Sequence, residues 1–177
     1  MIKIDCPELS AHTLNVLRRR QEANATWSRY NPSGVKADRE IRETLQDAFR
    51  GKCGYCEIIE AETIDHFWPQ SRYADKIWNW TNYIWCCDAC QRRKGATLPC
   101  NAQGYQMVNP REDEPLHFLQ IDPETGAISE RSLDSETIQR GQYTITVLKL
   151  NERPDLDHQR QHLYFDILDW ISEMVKW

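Results

Sequence analysis

Cys53–Gly95 reads CGYCEIIEAETIDHFWPQSRYADKIWNWTNYIWCCDACQRRKG, and the rest of the chain is organised around it. Two CxxC pairs, Cys53/Cys56 and Cys87/Cys90, bracket an Asp65-His66 dipeptide and Asn82. A two-residue spacer lets both thiolates of a pair reach one ion, and Gly54 is expected to help the first knuckle bend. Four thiolates in tetrahedral array select zinc and leave no open position for water, so the role expected for the ion is structural. Cys86 breaks the spacing and is assigned to packing. Seven cysteines are an odd number, and Cys6, Cys86 and Cys100 remain after the two pairs. That pattern fits a reducing cytoplasm and a bound zinc better than a disulfide framework.

Between the pairs, Thr63–Trp68 reads as a strand ended by Pro69. Asp65 and His66 point to opposite faces of an ideal strand, but an irregular strand end lets both approach one ion. Trp78, Trp80, Tyr83 and Trp85 are expected to form a small core around the metal site in preference to a base-stacking surface. Asn82 is polar within that apolar stretch; if buried it must satisfy its amide, so it is expected to brace a loop. A short helix should open at Cys87, carry Gln91, Arg92, Arg93 and Lys94, and stop at Gly95.

Outward from this module the chain reads as helical on one side and mixed on the other. Upstream, Leu9, Leu14, Val16 and Leu17 suit a helix started by Asp5 and Pro7. Arg18, Arg19 and Arg20 form either a solvated face or a phosphate contact. NPSG at 31–34 is a turn. A second helix, N-capped by Asp38 and stopped by Gly51, carries Ile41, Leu45, Ala48 and Phe49 at helical spacing and delivers the chain to Cys53. Downstream we expect a short strand at 104–108, an acidic loop at 109–115, and a hairpin about the DPETG turn. A helix capped by Asp134 or Ser135 follows, with Gly141 arguing against one continuous helix. A last amphipathic stripe runs from Leu156 to Trp177, packing inward or docking a partner.

The expected organisation is therefore α+β: a helical segment at 1–50, a zinc-stapled core at 51–98, and a mixed extension at 99–177 ending in an amphipathic helix. The chain has 177 residues and a formal net charge of −5. That length can bury a hydrophobic core. The charge argues against a protein held on nucleic acid by a strong global field, though not against a local basic surface. The opening MIKIDCPELS has no apolar run behind it, so no signal peptide is expected, and no window suits a membrane span. Neither G-x-x-x-x-G-K-[ST] nor G-x-G-x-x-G occurs, which removes the common nucleotide-binding fingerprints.

With these residues in hand, the module resembles the HNH, or ββα-metal, endonucleases. The matching features are Asp65-His66 on the first strand, Asn82 on the second, Cys87-x-x-Cys90 opening a helix, and Lys94-Gly95 closing it. More narrowly, the chain is similar to the nuclease subunit of Septu-type antiphage systems and its retron-associated relatives. The residues behind that likeness are Gly51–Glu57, Trp80–Tyr83, Asn109–Pro115 and Thr144–Asn151, over roughly residues 35–160.

The resemblance implies metal-dependent phosphodiester hydrolysis, on DNA or on an RNA such as tRNA, with DNA favoured. His66 would be the general base, Asp65 a ligand of a catalytic Mg²⁺ or Mn²⁺, and Asn82 the residue that orients the loop and the histidine. Gln91 stands where the family has an Asn or His metal ligand. Arg92, Arg93 and Lys94 would contact phosphate. Septu-type systems pair the nuclease with an ABC-like ATPase, so ATP sensing would lie in that partner. Gln91 also motivates the competing expectation of a catalytically degenerate, zinc-stapled interaction module.

Overall fold

The computed structural model describes residues 1–59 and 61–174. Val175 and Trp177, the end of the expected apolar stripe, lie outside the described residues.

The first helix, α1, spans Ala11–Glu22, and its N-cap is Ser10, whose hydroxyl accepts from Thr13 N–H. The expected start at Asp5 and Pro7 is too early. Ser10 has a side chain that can satisfy an orphan N–H, whereas the Pro7 carbonyl accepts Trp80 Nε1 at 3.2 Å instead. The hydroxyls of Ser10 and Thr13 both donate to the Glu40 carboxylate, tying α1 to the next helix. That helix, α2, spans Lys36–Ala48. Asp38 is not its cap, because it sits inside the first turn and is fully buried. There its carboxylate accepts both Arg20 guanidinium nitrogens and Asn31 N–H. Arg20 therefore turns inward, out of the basic run in which it was read.

Two large apolar residues of α2, Ile41 and Leu45, are fully buried. Each contributes about 1.5–3 kcal/mol of transfer free energy. They press on the second strand of a short antiparallel pair, β1 (Thr63–His66) with β2 (Tyr83–Cys86). The register sets Thr63 opposite Cys86 and His66 opposite Tyr83. A seven-residue helix, α3 (Asp88–Lys94), follows β2 directly and packs on β1. All four residues of β2 are buried.

Gly54 has a different reason from the one expected. Its φ is not positive, but a Cβ there would stand 2.4 Å from the Phe49 ring and 3.0 Å from Ile84. The position needs room, not freedom to bend.

A second hairpin, β3 (Leu119–Ile121) with β4 (Ile128–Glu130), precedes α4 (Ser135–Leu148), which Asp134 caps through Thr137 N–H. Contrary to the expectation, α4 runs unbroken through Gly141. A Cβ at Gly141 would lie 2.7 Å from the Phe118 carbonyl oxygen, so the glycine lets the helix lie directly on the hairpin. The strand expected at 104–108 reduces to one bridge between Cys100 and Gln106. Met107 and Val108 are nonetheless buried, and Val108 N–H donates to Thr144 Oγ1 at 2.8 Å.

The last helix, α5, spans Pro154–Met174. Leu156 is buried, while Leu163, Ile167, Trp170 and Met174 remain exposed. Among the described residues, no helix is long and apolar enough to cross a membrane. One continuous apolar cluster draws on all three stretches, from Leu17 and Leu45 through Trp85 to Met107 and Leu148.

Candidate functional site

The sulfur end of the module is built from two turns. Cys53 and Cys56 lie just before β1, and Cys87 and Cys90 lie at the cap and first turn of α3. All four are buried, and their sulfurs lie within 4.8 Å of one another. Cys56 and Cys87 Sγ are 3.8 Å apart. A tetrahedral ion with bonds of about 2.3 Å separates its sulfurs by about 3.8 Å, so this donor set fits zinc. Hydrogen bonds from the other three sulfurs pull the Cys87 thiol below its ordinary range. Cys86 points away from the cluster, toward Thr63 Oγ1 at 3.3 Å, and burial pushes its thiol up.

At the other end of the same hairpin lies a cleft of about 330 Å³, lined by Trp27, Ile64, Asp65, His66, Pro69, Gln70, Ser71, Gln91, Gly95 and Ala96. Three of the residues singled out from sequence, Asp65, His66 and Gln91, thus share one wall system. His66 Nε2 lies 3.0 Å from the Ile77 carbonyl oxygen. A carbonyl only accepts, so Nε2 carries the proton and Nδ1 holds the lone pair of the neutral ring. Burial, reinforced by the Lys94 charge, lowers the His66 pKa to about 4, against the opposing effect of the Ile77 bond. The ring is therefore neutral at pH 7.

Asp65 is buried and accepts the Tyr55 hydroxyl at 2.7 Å and the Lys94 ammonium at 2.9 Å, both on Oδ2. Burial raises its pKa, and Lys94 opposes the shift. Lys94 Nζ also donates to the His66 carbonyl oxygen at 2.7 Å, so one ammonium grips both members of the Asp-His dipeptide. Gln91 Nε2 donates to the Ile64 carbonyl at 2.9 Å, and its Oε1 has no hydrogen-bond donor among the described residues.

Asn82 does brace a loop. Its amide donates to the Trp68 and Lys76 carbonyls, and its oxygen accepts Trp68 N–H at 2.7 Å. This closes the 68–82 connection whose Ile77 carbonyl holds His66. Trp78, Trp80, Tyr83 and Trp85 are all buried, as the small-core reading expects.

The three cations read as phosphate contacts each have a protein partner. Lys94 is 1% exposed and committed to Asp65 and His66. Arg92 is exposed and ion-paired with Asp88, one helical turn back. Arg93 donates to the Lys149 and Glu152 carbonyls, bridging α3 to the segment after α4. Two participants were not legible as such. Tyr55, inside the first CxxC, reads as a spacer residue until it is seen bonded to Asp65. Trp27 reads as the end of a helical arm until the fold lays it against the His66 ring.

No family model matches the chain. It is similar to the Septu protein PtuB of Bacillus mycoides (strain KBAB4), with 28% identity over 167 residues, covering 77% of this chain and 55% of the relative. It is also similar to the Septu protein PtuB of Bacillus thuringiensis, with 22% identity over 151 residues, covering 82% of this chain and 54% of the relative. The chain thus spans about half the length of the curated relatives it matches.

Proposed function

We propose that this chain carries the HNH-type nuclease function of a Septu-type antiphage complex, hydrolysing phosphodiester bonds of DNA, with RNA such as tRNA as the second substrate class. The observation that carries the reading is the convergence of Asp65, His66 and Gln91 on one cleft, at the end of a β1–β2 hairpin closed by α3 and stapled by four cysteines. The similarity to two proteins named Septu protein PtuB supports the system.

His66 Nδ1 takes a proton from water as the water oxygen bonds to phosphorus and the opposite P–O ester bond breaks, the leaving alkoxide taking a proton from solvent; the Nε2 anchor leaves Nδ1 as the accepting atom. Asp65, with Gln91 Oε1, would hold a divalent cation of the Mg²⁺ type, which commonly binds through one or two carboxylates and keeps several waters. When bound, that cation neutralises charge developing on the phosphate oxygens. Lys94 holds Asp65 and the His66 backbone in mutual register. Arg92, exposed on α3, is available to phosphate by exchanging its surface pair with Asp88. The apolar residues that α5 leaves exposed support a partner subunit, for which the resemblance names an ABC-like ATPase.

The test is cleavage of supercoiled plasmid and of total tRNA across Mg²⁺ and Mn²⁺ titrations, with and without the co-expressed neighbouring ATPase. Metal-dependent cleavage lost in His66→Ala is the expected result. No cleavage under any combination would overturn it and favour a second reading, a degenerate interaction module. That reading draws on one observation: the Lys94 ammonium already occupies the Asp65 carboxylate.

A further inference from the structure

His66 is anchored at one atom. The Nε2–H to Ile77 bond fixes a tautomer, but hydrogen-bond angles are broad, so it leaves the imidazole a limited swivel about the Cβ–Cγ bond. Two rings oppose that swivel. Tyr83 meets the imidazole edge-on at 5.3 Å and 80°, and Trp27 meets it at 4.5 Å and 87°. Tyr83 is the cross-strand partner of His66 and belongs to the motif. Trp27 belongs to a 3₁₀ turn, Trp27–Arg29, in the N-terminal arm, well outside Cys53–Gly95, yet it lines the cleft.

Trp27 is itself held from behind. It stacks on Tyr30 at 4.6 Å and 8°, and tilts against Trp78 at 5.0 Å. Trp78 donates Nε1–H to the Ala25 carbonyl at 2.7 Å, which pins the chain two residues before Trp27. The Arg20 guanidinium lies 4.6 Å above the Trp78 ring while paired to buried Asp38. Rigid support runs without a break from α2 through α1 and Trp78 to the imidazole. Edge-to-face ring pairs attract beyond their area burial, which favours one ring orientation over others.

We propose that Trp27 is a positioning residue for the reaction: by packing edge-on against His66 it holds the imidazole in the one orientation that presents Nδ1 to the cleft. This rests on the nuclease reading for its activity arm only, because the orientation of His66 is measurable without substrate.

The experiment compares Trp27→Leu, which keeps apolar volume without a ring, with Trp27→Phe, which keeps a ring. For each, zinc content, thermal melting, kcat and KM are measured, together with ¹⁵N-detected NMR of the imidazole at fixed pH. The wild type and Trp27→Phe should show a single Nε2–H tautomer with a slowly exchanging ring proton. In Trp27→Leu that proton should exchange fast or vanish, with zinc unchanged and kcat lowered about 10–100-fold at near-constant KM, as expected for a displaced reacting group. A wild-type imidazole spectrum in Trp27→Leu overturns the proposal whatever the activity, and so does loss of zinc or melting in Trp27→Leu with kcat preserved per folded molecule. If the wild type cleaves nothing while the spectra divide as described, the nuclease reading fails and the positioning role stands.

Discussion

At one end of the β1–β2 hairpin, Thr63 pairs with Cys86 and four sulfurs crowd within 4.8 Å; at the other, His66 pairs with Tyr83 and polar side chains meet backbone carbonyls. The two ends are held by opposite means. The sulfurs are bound chiefly to one another, so their crowding calls for an ion that they all can bind. The polar end is held together by protein atoms: Tyr55 and Lys94 on Asp65, Lys94 and Ile77 on His66, Asn82 across its loop. Dependence on metal should therefore be absolute for the fold at the first end. At the second it should appear only in activity.

The largest effect expected is at the sulfur end. Cys53→Ser or Cys90→Ser should release zinc and unfold residues 51–95, since structural zinc supplies about 10–16 kcal/mol of apparent binding energy to small metal modules. Metal analysis with circular dichroism checks this; full metal with an unchanged fold would dissolve the contrast between the two ends. Next, His66→Ala should lower cleavage by about 10²–10⁴-fold while zinc and the folded state are retained. A fold that collapsed with His66 would make the polar end structural instead.

Lys94→Met strands a buried Asp65 charge and should cost about 3–5 kcal/mol in denaturant unfolding. Adding Asp65→Asn should return part of that loss, because the double variant no longer buries an unpaired carboxylate. Gly54→Ala, on the sulfur side, should cost about 1–3 kcal/mol through collision with Phe49, with zinc retained. Smallest is Gln91→Asn, which shortens the reach to Ile64 O and should cost about 1 kcal/mol of stability. If Gln91 is a cation ligand, the same change shifts the Mg²⁺ or Mn²⁺ dependence of cleavage; an unaltered metal titration would remove it from that role.

The two ends also differ in how far they could be read in advance. CxxC spacing is a local geometric code: two residues of turn bring two thiolates together whatever surrounds them, so Cys53, Cys56, Cys87 and Cys90 were legible, as was the exclusion of Cys86. The need of a buried Asn82 to satisfy its amide was legible for the same kind of reason. Helix starts were less so, because Asp38 and Ser10 are both capable caps and only packing decided that Asp38 would pair with Arg20. Gly141 misled because helix propensity counts its entropic cost and cannot see the Phe118 carbonyl that excludes a Cβ.

By itself, then, the sequence determined the sulfur cluster, the strand bearing Asp65 and His66, and the helix bearing Gln91 and Lys94, all through short-range spacing and backbone preference. Tertiary structure alone decided that Lys94 turns inward onto Asp65, that Tyr55 joins it, and that Trp27 crosses from the N-terminal arm to the His66 ring. Those contacts join residues 10 to 39 positions apart. Which partner a buried charge or an aromatic edge finds over such a span is set by the competition of the whole core for burial and hydrogen bonds, not by the residues next to it in the chain.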